Sequence, residues 1–208
     1  MISVINMGSN NIFSLIRAIK FLGYDYKTIN KSADVMSANK IILPGVGSFE
    51  DGMNFLHKNQ LVEPLREVHK KNIPIFGICL GMQLMADYGM EFGKNEGLSL
   101  INGKVIPLPF DPNNTNHNNR VPNIGWRSLN IVKKNNNLFE DFLSNSMVYF
   151  IHSYYIELNQ KSHLLATIDV NGSNITAAFN HLNLYGVQFH PERSGKIGLK
   201  ILDGFAKL

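Results

Sequence analysis

The sequence predicts an α/β fold, a doubly wound and mainly parallel central sheet with an antiparallel or mixed extension. Three observations lead there. Short apolar runs alternate with stretches of helical periodicity from Ile2 to Asp87. The second half then turns to closely spaced short strands. Between the two lies Asn72 to Asp87, a glycine-punctuated strand, turn and helix that carries the chain's one cysteine. With 208 residues, 44% of them hydrophobic, there is material for one sizeable core, so a single domain over 1–208 is expected. The net charge of +4 is spread over dispersed lysines, which gives no concentrated basic surface for nucleic acid. No apolar run approaches the roughly 20 residues that cross a bilayer, so no membrane partner is expected. The start, MISVINMGSNN, reads as a first strand and not as a secretion signal. One cysteine allows no internal disulfide, and a reducing cytoplasm is the natural compartment.

The elements follow in order. Ile2 to Asn6 is a short apolar strand. Ile12, Leu15, Ile16 and Ile19 then repeat at helical spacing, with Gly23 as the stop. Tyr24 to Ile29 and Ile41 to Leu43 are the next strands, the latter running into Pro44-Gly45-Val46-Gly47. Leu61 to Lys71 reads as helix. In a parallel sheet, sites form outside the carboxyl ends of the strands, which is where the 44–47 turn and Cys79 both fall. Beyond Asp87, strand-like segments run over Leu98 to Leu108, Val121 to Val132, Met147 to Leu158, His163 to Val170, Ile175 to Asn180 and Leu184 to Phe189. Ser194 to Leu208 closes the chain as a helix. The asparagine runs at 113–119 and 135–137 read as solvated loops.

Cys79 falls at a turn where Gly77 and Gly81 let the backbone bend sharply, the layout of a nucleophile elbow with sulfur in place of oxygen. The thiolate is the nucleophile. A lone cysteine also serves as a small buried hydrophobe, so the assignment needs a base. Of the seven histidines, His190 stands apart: it ends a strand, precedes Pro191 and lies two residues before Glu192. Pro191 restricts it to an extended conformation, and the alternation of an extended chain then sets Glu192 beside the imidazole. Cys79, His190 and Glu192 would form a relay of nucleophile, acid/base and orienting carboxylate. The competing reading is a strand-end pair with no thiol nearby. A metal site is a third, weaker reading, because neither HExxH nor CxxC spacing occurs; no metal and no cofactor are expected.

Gly77-Ile78-Cys79-Leu80-Gly81-Met82-Gln83, with Gln188-Phe189-His190-Pro191-Glu192 downstream, resembles the class I, or triad, glutamine amidotransferases. Pro44-Gly45-Val46-Gly47 resembles their oxyanion loop. Three further stretches are similar to the glutaminase subunits of imidazole glycerol phosphate synthase: Val121-Pro122-Asn123-Ile124-Gly125-Trp126, His152-Ser153-Tyr154-Tyr155, and Glu192-Arg193-Ser194 followed by Gly198-Leu199. The resemblance spans essentially the whole chain, so no fused synthase domain is expected.

It implies that Cys79, His190 and Glu192 are catalytic. The N–H of Leu80 and the Gly45, Val46 and Gly47 loop would serve the oxyanion, and Gly47, Gln83, Ser153 and Tyr154 would hold L-glutamine. Without it, Gln83 reads as a helix-surface amide, and Ser153 and Tyr154 as packed strand residues. The resemblance also implies a heterodimer with a barrel-fold cyclase subunit that receives the ammonia for histidine biosynthesis. Val121 to Trp126 would lie near that interface, with Trp126 as an anchor; the alternative for Trp126 is a core position. Two departures stand out. Arg127 replaces the usual Asn, and Met7-Gly8-Ser9-Asn10-Asn11 replaces the common Tyr-Gly-x-Gly-Asn. Other readings are a paralogous subunit feeding ammonia to an amidino- or amino-sugar synthase, a catalytically silent subunit, and a thiol hydrolase of γ-glutamyl peptides.

Overall fold

The computed structural model describes residues 1–8, 12–110, 112, 120–133, 138 and 145–208. Along these residues the chain forms β1 (Ile2–Ile5), α1 (Ile12–Phe21), β2 (Tyr26–Ile29), α2 (Ser32–Met36), β3 (Ile41–Leu43), α3 (Phe49–Lys58), α4 (Val62–Lys70), β4 (Ile75–Ile78) and α5 (Leu80–Leu84). The second half supplies β5 (Tyr88–Gly89), β6 (Asn95–Glu96), β7 (Gly103–Pro107), β8 (Asn123–Ser128) and β9 (Asn130–Ile131). Then come β10 (Met147–His152), β11 (Tyr154–Leu158), β12 (Leu164–Val170), β13 (Ser173–His181), β14 (Leu184–Val187) and α6 (Gly195–Lys207). The asparagine runs at 113–119 and 135–137, and residues 9–11 of the first loop, lie outside the described residues.

Among the described residues the main sheet has eight strands in the order β2-β1-β3-β4-β14-β13-β12-β9. From β2 to β14 the neighbours are parallel; β13, β12 and β9 extend the sheet antiparallel. Every residue of β1, β3 and β4 is buried, because helices cover both faces and no side has to be polar. One layer packs Leu15 and Ile19 of α1 and Ile201, Leu202 and Phe205 of α6 over Phe76. The other packs Phe49, Met53 and Leu56 of α3, Leu65 and Val68 of α4, and Met82 and Leu84 of α5 around Leu43 and Ile75.

Three segments depart from the sequence expectation. Met147 to Leu158 is not one strand: it breaks at Ser153 into β10, which pairs with β8, and β11, which joins a separate sheet of order β11-β7-β5-β6. Leu98 to Leu108 is strand only in its second half; its first residues, Leu98, Leu100 and Ile101, are buried apolar anchors of an irregular stretch. Val121 to Val132 breaks at the buried Leu129. These segments therefore build two small sheets over the site, and only β9, β12 and β13 extend the main one. Helix α3 goes unread in the sequence although its start is well signalled. The Ser48 hydroxyl accepts from the Asp51 N–H at 3.1 Å, and Glu50 and Asp51 occupy the first turn.

Candidate active site

The order of the sheet creates the site. Strand β14 lies beside β4, with Val187 opposite Ile78, and the Cys79 N–H donates to the Val187 carbonyl at 2.8 Å. The carboxyl ends of these two parallel strands therefore deliver Cys79 and Gln188 to His190 to the same place, although more than a hundred residues separate them in sequence.

Cys79 sits between β4 and α5 at φ +54° and ψ −112°, a conformation in which a side chain is strained. The strain is tolerated because the helix behind it packs tightly: a Cβ at Gly81 would run into the Leu43 carbonyl of β3, so only glycine fits. Cys79 as a whole is 6% exposed, and its sulfur faces two neighbours. It lies 3.9 Å from the Ile151 carbonyl and accepts from Gln188 Nε2 at 3.7 Å.

Behind the sulfur, His190 and Glu192 are buried, with Nδ1 of the imidazole 2.8 Å from the carboxylate. The backbone that brings them together differs from the expectation. Pro191 to Arg193 form a 3₁₀ turn, so Glu192 meets the ring by folding back and not by strand alternation. Ser194 fixes that turn: its hydroxyl donates to the His190 carbonyl at 2.6 Å and accepts from the Tyr149 N–H at 3.0 Å. Burial alone lowers the His190 pKa, but hydrogen bonds and charges from Cys79 and Glu192 outweigh it and carry the value up to about 10. The imidazole thus reaches Cys79 on one side and Glu192 on the other. The strand-end pair remote from a thiol is not what the chain builds.

A cavity of about 250 Å³ opens over the sulfur, lined by Val46, Gly47, Leu80, Gln83, Ser153 and Tyr154 among others. Of the remaining residues expected there, Gly45 is buried beneath, its Cα facing Leu80 across the elbow. Leu80 opens α5, and the N–H of a first helical residue has no acceptor within its own helix. Gln83 is no surface amide. It is 5% exposed, and its Nε2 donates to the Tyr154 carbonyl at 2.8 Å and to Gln188 Oε1 at 2.9 Å.

Four contributors had no role assigned from the sequence: Glu91, and three residues that stood only as members of longer motifs, Gln188, His152 and Asn123. Glu91 lines the cavity and accepts from the Phe49 N–H at 2.7 Å, at the start of α3. Gln188 stood in the same pentapeptide as His190, and only its depth in the structure reveals the amide on the sulfur. His152 is buried, its pKa held down to about 4 by that burial; the Tyr154 carbonyl opposes the fall and the charges of His190 and Arg127 add to it. Among the described residues no group of three or more His, Cys, Asp or Glu is placed to hold a metal ion, and no helix is long and apolar enough to cross a membrane.

A buried thiol on a strained turn, served by an imidazole and a carboxylate at the carboxyl edge of a parallel sheet, is the arrangement of a thiol acyl-transfer enzyme. Comparison narrows it. Residues 3–207 match the family described as glutamine amidotransferase class-I. A solved structure of a glutamine amidotransferase superposes with a TM-score of 0.75 over 100% of this chain and 99% of its own, at 16% identity, which speaks for the fold. The imidazole glycerol phosphate synthase subunit HisH of Caldanaerobacter subterraneus is 38% identical over 100% of this chain and 98% of its own. The subunit of the same name from Pelagibacter ubique is 39% identical over 100% and 99%. The chain belongs to the class-I glutamine amidotransferases and, within them, to the HisH subunits of imidazole glycerol phosphate synthase.

Proposed function

We propose that this chain hydrolyses L-glutamine to glutamate and ammonia through a thioester on Cys79, and passes the ammonia to a cyclase subunit that makes imidazole glycerol phosphate in histidine biosynthesis. The observation that carries the chemistry is the His190 imidazole held between Cys79 and Glu192 beneath the cavity. The thiolate attacks the side-chain carbonyl carbon of glutamine, and the negative charge passes to the carbonyl oxygen. The N–H of Leu80 and a peptide N–H of the Gly45-Val46-Gly47 loop stabilise it there. His190, protonated at rest, gives its Nε2 proton to the amide nitrogen, the C–N bond breaks and ammonia leaves. The now neutral imidazole takes a proton from water, the water oxygen attacks the thioester, and the C–S bond breaks to free glutamate. Glu192 holds Nδ1–H throughout and so keeps Nε2 aimed at the reaction. Gln83, Ser153 and Tyr154 line the place of the substrate, and the Glu91 carboxylate supplies the negative charge that an α-ammonium group needs.

The partner reading rests on the rim. Val46, Val121, Ile124, Trp126 and Ile151 are apolar and between 41% and 53% exposed; Val46 and Ile151 line the cavity, as does Pro122, the chain neighbour of Val121. Trp126 packs edge-on against Tyr149 and leaves about half its surface open, which suits an interface anchor better than a core position. The partner is a cyclase of barrel fold whose mouth this rim covers as a heterodimer in the cytoplasm. Confinement matters because ammonia in open water becomes ammonium, which is no nucleophile. The relatives' shared name does not favour the sugar-synthase alternative.

The test is reconstitution with the organism's cyclase subunit and its phosphoribosyl-formimino-aminoimidazole-carboxamide ribotide substrate. Glutamine-dependent product that vanishes in Cys79→Ala is the expected result. Failure with glutamine while free ammonia still drives the cyclase would overturn the pairing.

A further inference from the structure

Arg127 is where this chain carries a guanidinium on the strand that also bears Trp126. Its Nε donates to Asn123 Oδ1 at 2.8 Å. Because Nε is only a donor, the oxygen of the Asn123 amide must face it, which turns Asn123 Nδ2 toward His152 Nε2, 2.9 Å away. His152 Nε2 therefore accepts, and the ring proton sits on Nδ1, which donates to the Tyr154 carbonyl at 2.9 Å. The same carbonyl accepts from Gln83 Nε2, Gln83 donates to Gln188 Oε1, and Gln188 Nε2 donates to the Cys79 sulfur. The Tyr154 carbonyl can only accept, so it fixes Nδ1–H of His152 and the donating amide of Gln83, while Arg127 fixes the other end by turning Asn123 Nδ2 toward His152 Nε2. Asn123, His152, Gln83 and Gln188 are all buried, so a reversed amide or ring would set donor against donor or acceptor against acceptor out of reach of water.

We propose that Arg127 is a positioning residue for the hydrolysis of glutamine: by holding the Asn123 amide it keeps a donor on His152 Nε2, and so seats the imidazole that supports the Tyr154 carbonyl, to which Gln83 is bonded beside Gln188 and the Cys79 sulfur. The proposal rests on the glutaminase reading given above. It gives the departure at Arg127 a task that a shorter side chain at that position does not perform from the same distance. It also links the Trp126 rim to the thiol, since Ile124 and Trp126 lie exposed on the strand whose other residues, Asn123 and Arg127, start the relay.

The test uses the full chain with Arg127→Met, Arg127→Lys and Asn123→Asp. Nitrogen-15 NMR of the imidazoles should find His152 as the neutral Nδ1–H tautomer in the wild type. In Arg127→Met the Asn123 amide loses its anchor, and the His152 Nε2 resonance should move toward that of a nitrogen that accepts no hydrogen bond. In Asn123→Asp the carboxylate can still accept from Arg127 but cannot donate, so His152 should carry a proton on Nε2. Glutamine hydrolysis should fall about tenfold in kcat/KM in Arg127→Met, with partial recovery in Arg127→Lys. Alkylation of Cys79 by iodoacetamide, which needs no glutamine pocket, should slow much less than alkylation by a glutamine-analogue electrophile. A His152 Nε2 resonance and a kcat/KM both unchanged in Arg127→Met overturn the proposal. A wild type that neither hydrolyses glutamine nor takes the glutamine-analogue label overturns the glutaminase reading instead, and the Nε2 measurement still decides what Arg127 positions.

Discussion

The two walls of the cavity are built on different principles. On one side His190 and Glu192 are buried, paired at 2.8 Å, and tied through Ser194 to β10. On the other, the 44–47 loop is anchored at its buried Pro44 and Gly45, while Val46 and Gly47 stand exposed at the mouth. Gly47 holds φ +108°, a region that L side chains rarely adopt. In the proposed mechanism, proton transfer thus has a rigid wall and oxyanion stabilisation an adjustable one. The difference teaches where a partner can act: a docked subunit has little to change at His190, and much to set at Val46 and Gly47.

The sharpest break is Cys79→Ala, which should remove glutamine hydrolysis by at least about ten-thousandfold in a steady-state glutamate assay, with the fold intact by circular dichroism. Glu192→Gln comes next. It keeps the shape of the rigid wall but takes away the charge on Nδ1–H, and kcat should fall about a hundredfold or more.

The same wall predicts a pH effect. The His190 pKa rises from 6.5 in the unfolded chain to about 10 in the folded one, so between those values the folded state holds the extra proton. Its stabilisation is complete below pH 6.5 and is lost as the pH climbs through about 10. Cys79→Ala removes one of the two groups that raise that pKa. Urea midpoints across this range should therefore fall less steeply in the variant than in the wild type. Parallel slopes would contradict the coupling.

Gly47→Ala probes the adjustable wall. The backbone strain should cost about 1–2 kcal/mol of stability at most, read from denaturant unfolding. Hydrolysis should drop about tenfold to a hundredfold, as for a misplaced oxyanion donor. A loss of stability without a larger loss of rate would remove the loop from the chemistry. Trp126→Ala gives the smallest effect on the isolated chain, leaving basal glutamine hydrolysis within about twofold. Binding of the cyclase subunit should weaken by about 2 kcal/mol, roughly thirtyfold in Kd by titration calorimetry.

Much of this protein is written locally. Apolar runs such as Ile41–Leu43 and Ile75–Ile78 announce buried strands, because a strand covered on both faces needs no polar alternation. Gly77, Cys79 and Gly81 announce a sharp turn, and His190-Pro191-Glu192 announces a pair, because each depends on neighbours within a few residues. Tertiary structure decided the rest. Only the placing of β14 beside β4 brings His190 to Cys79. Only the break at Ser153 sends β10 and β11 into different sheets and turns the Tyr154 carbonyl toward both His152 and Gln83. Gln188, Asn123 and Glu91 carry no local signal of their place, since an amide or carboxylate gains its meaning from what surrounds it once it is buried. Periodicity reports which face of an element is dry; which distant elements share that dry space is fixed by how the sheets are ordered and packed, and the contacts from Arg127 on β8 through His152 on β10 to Gln83 arise only there.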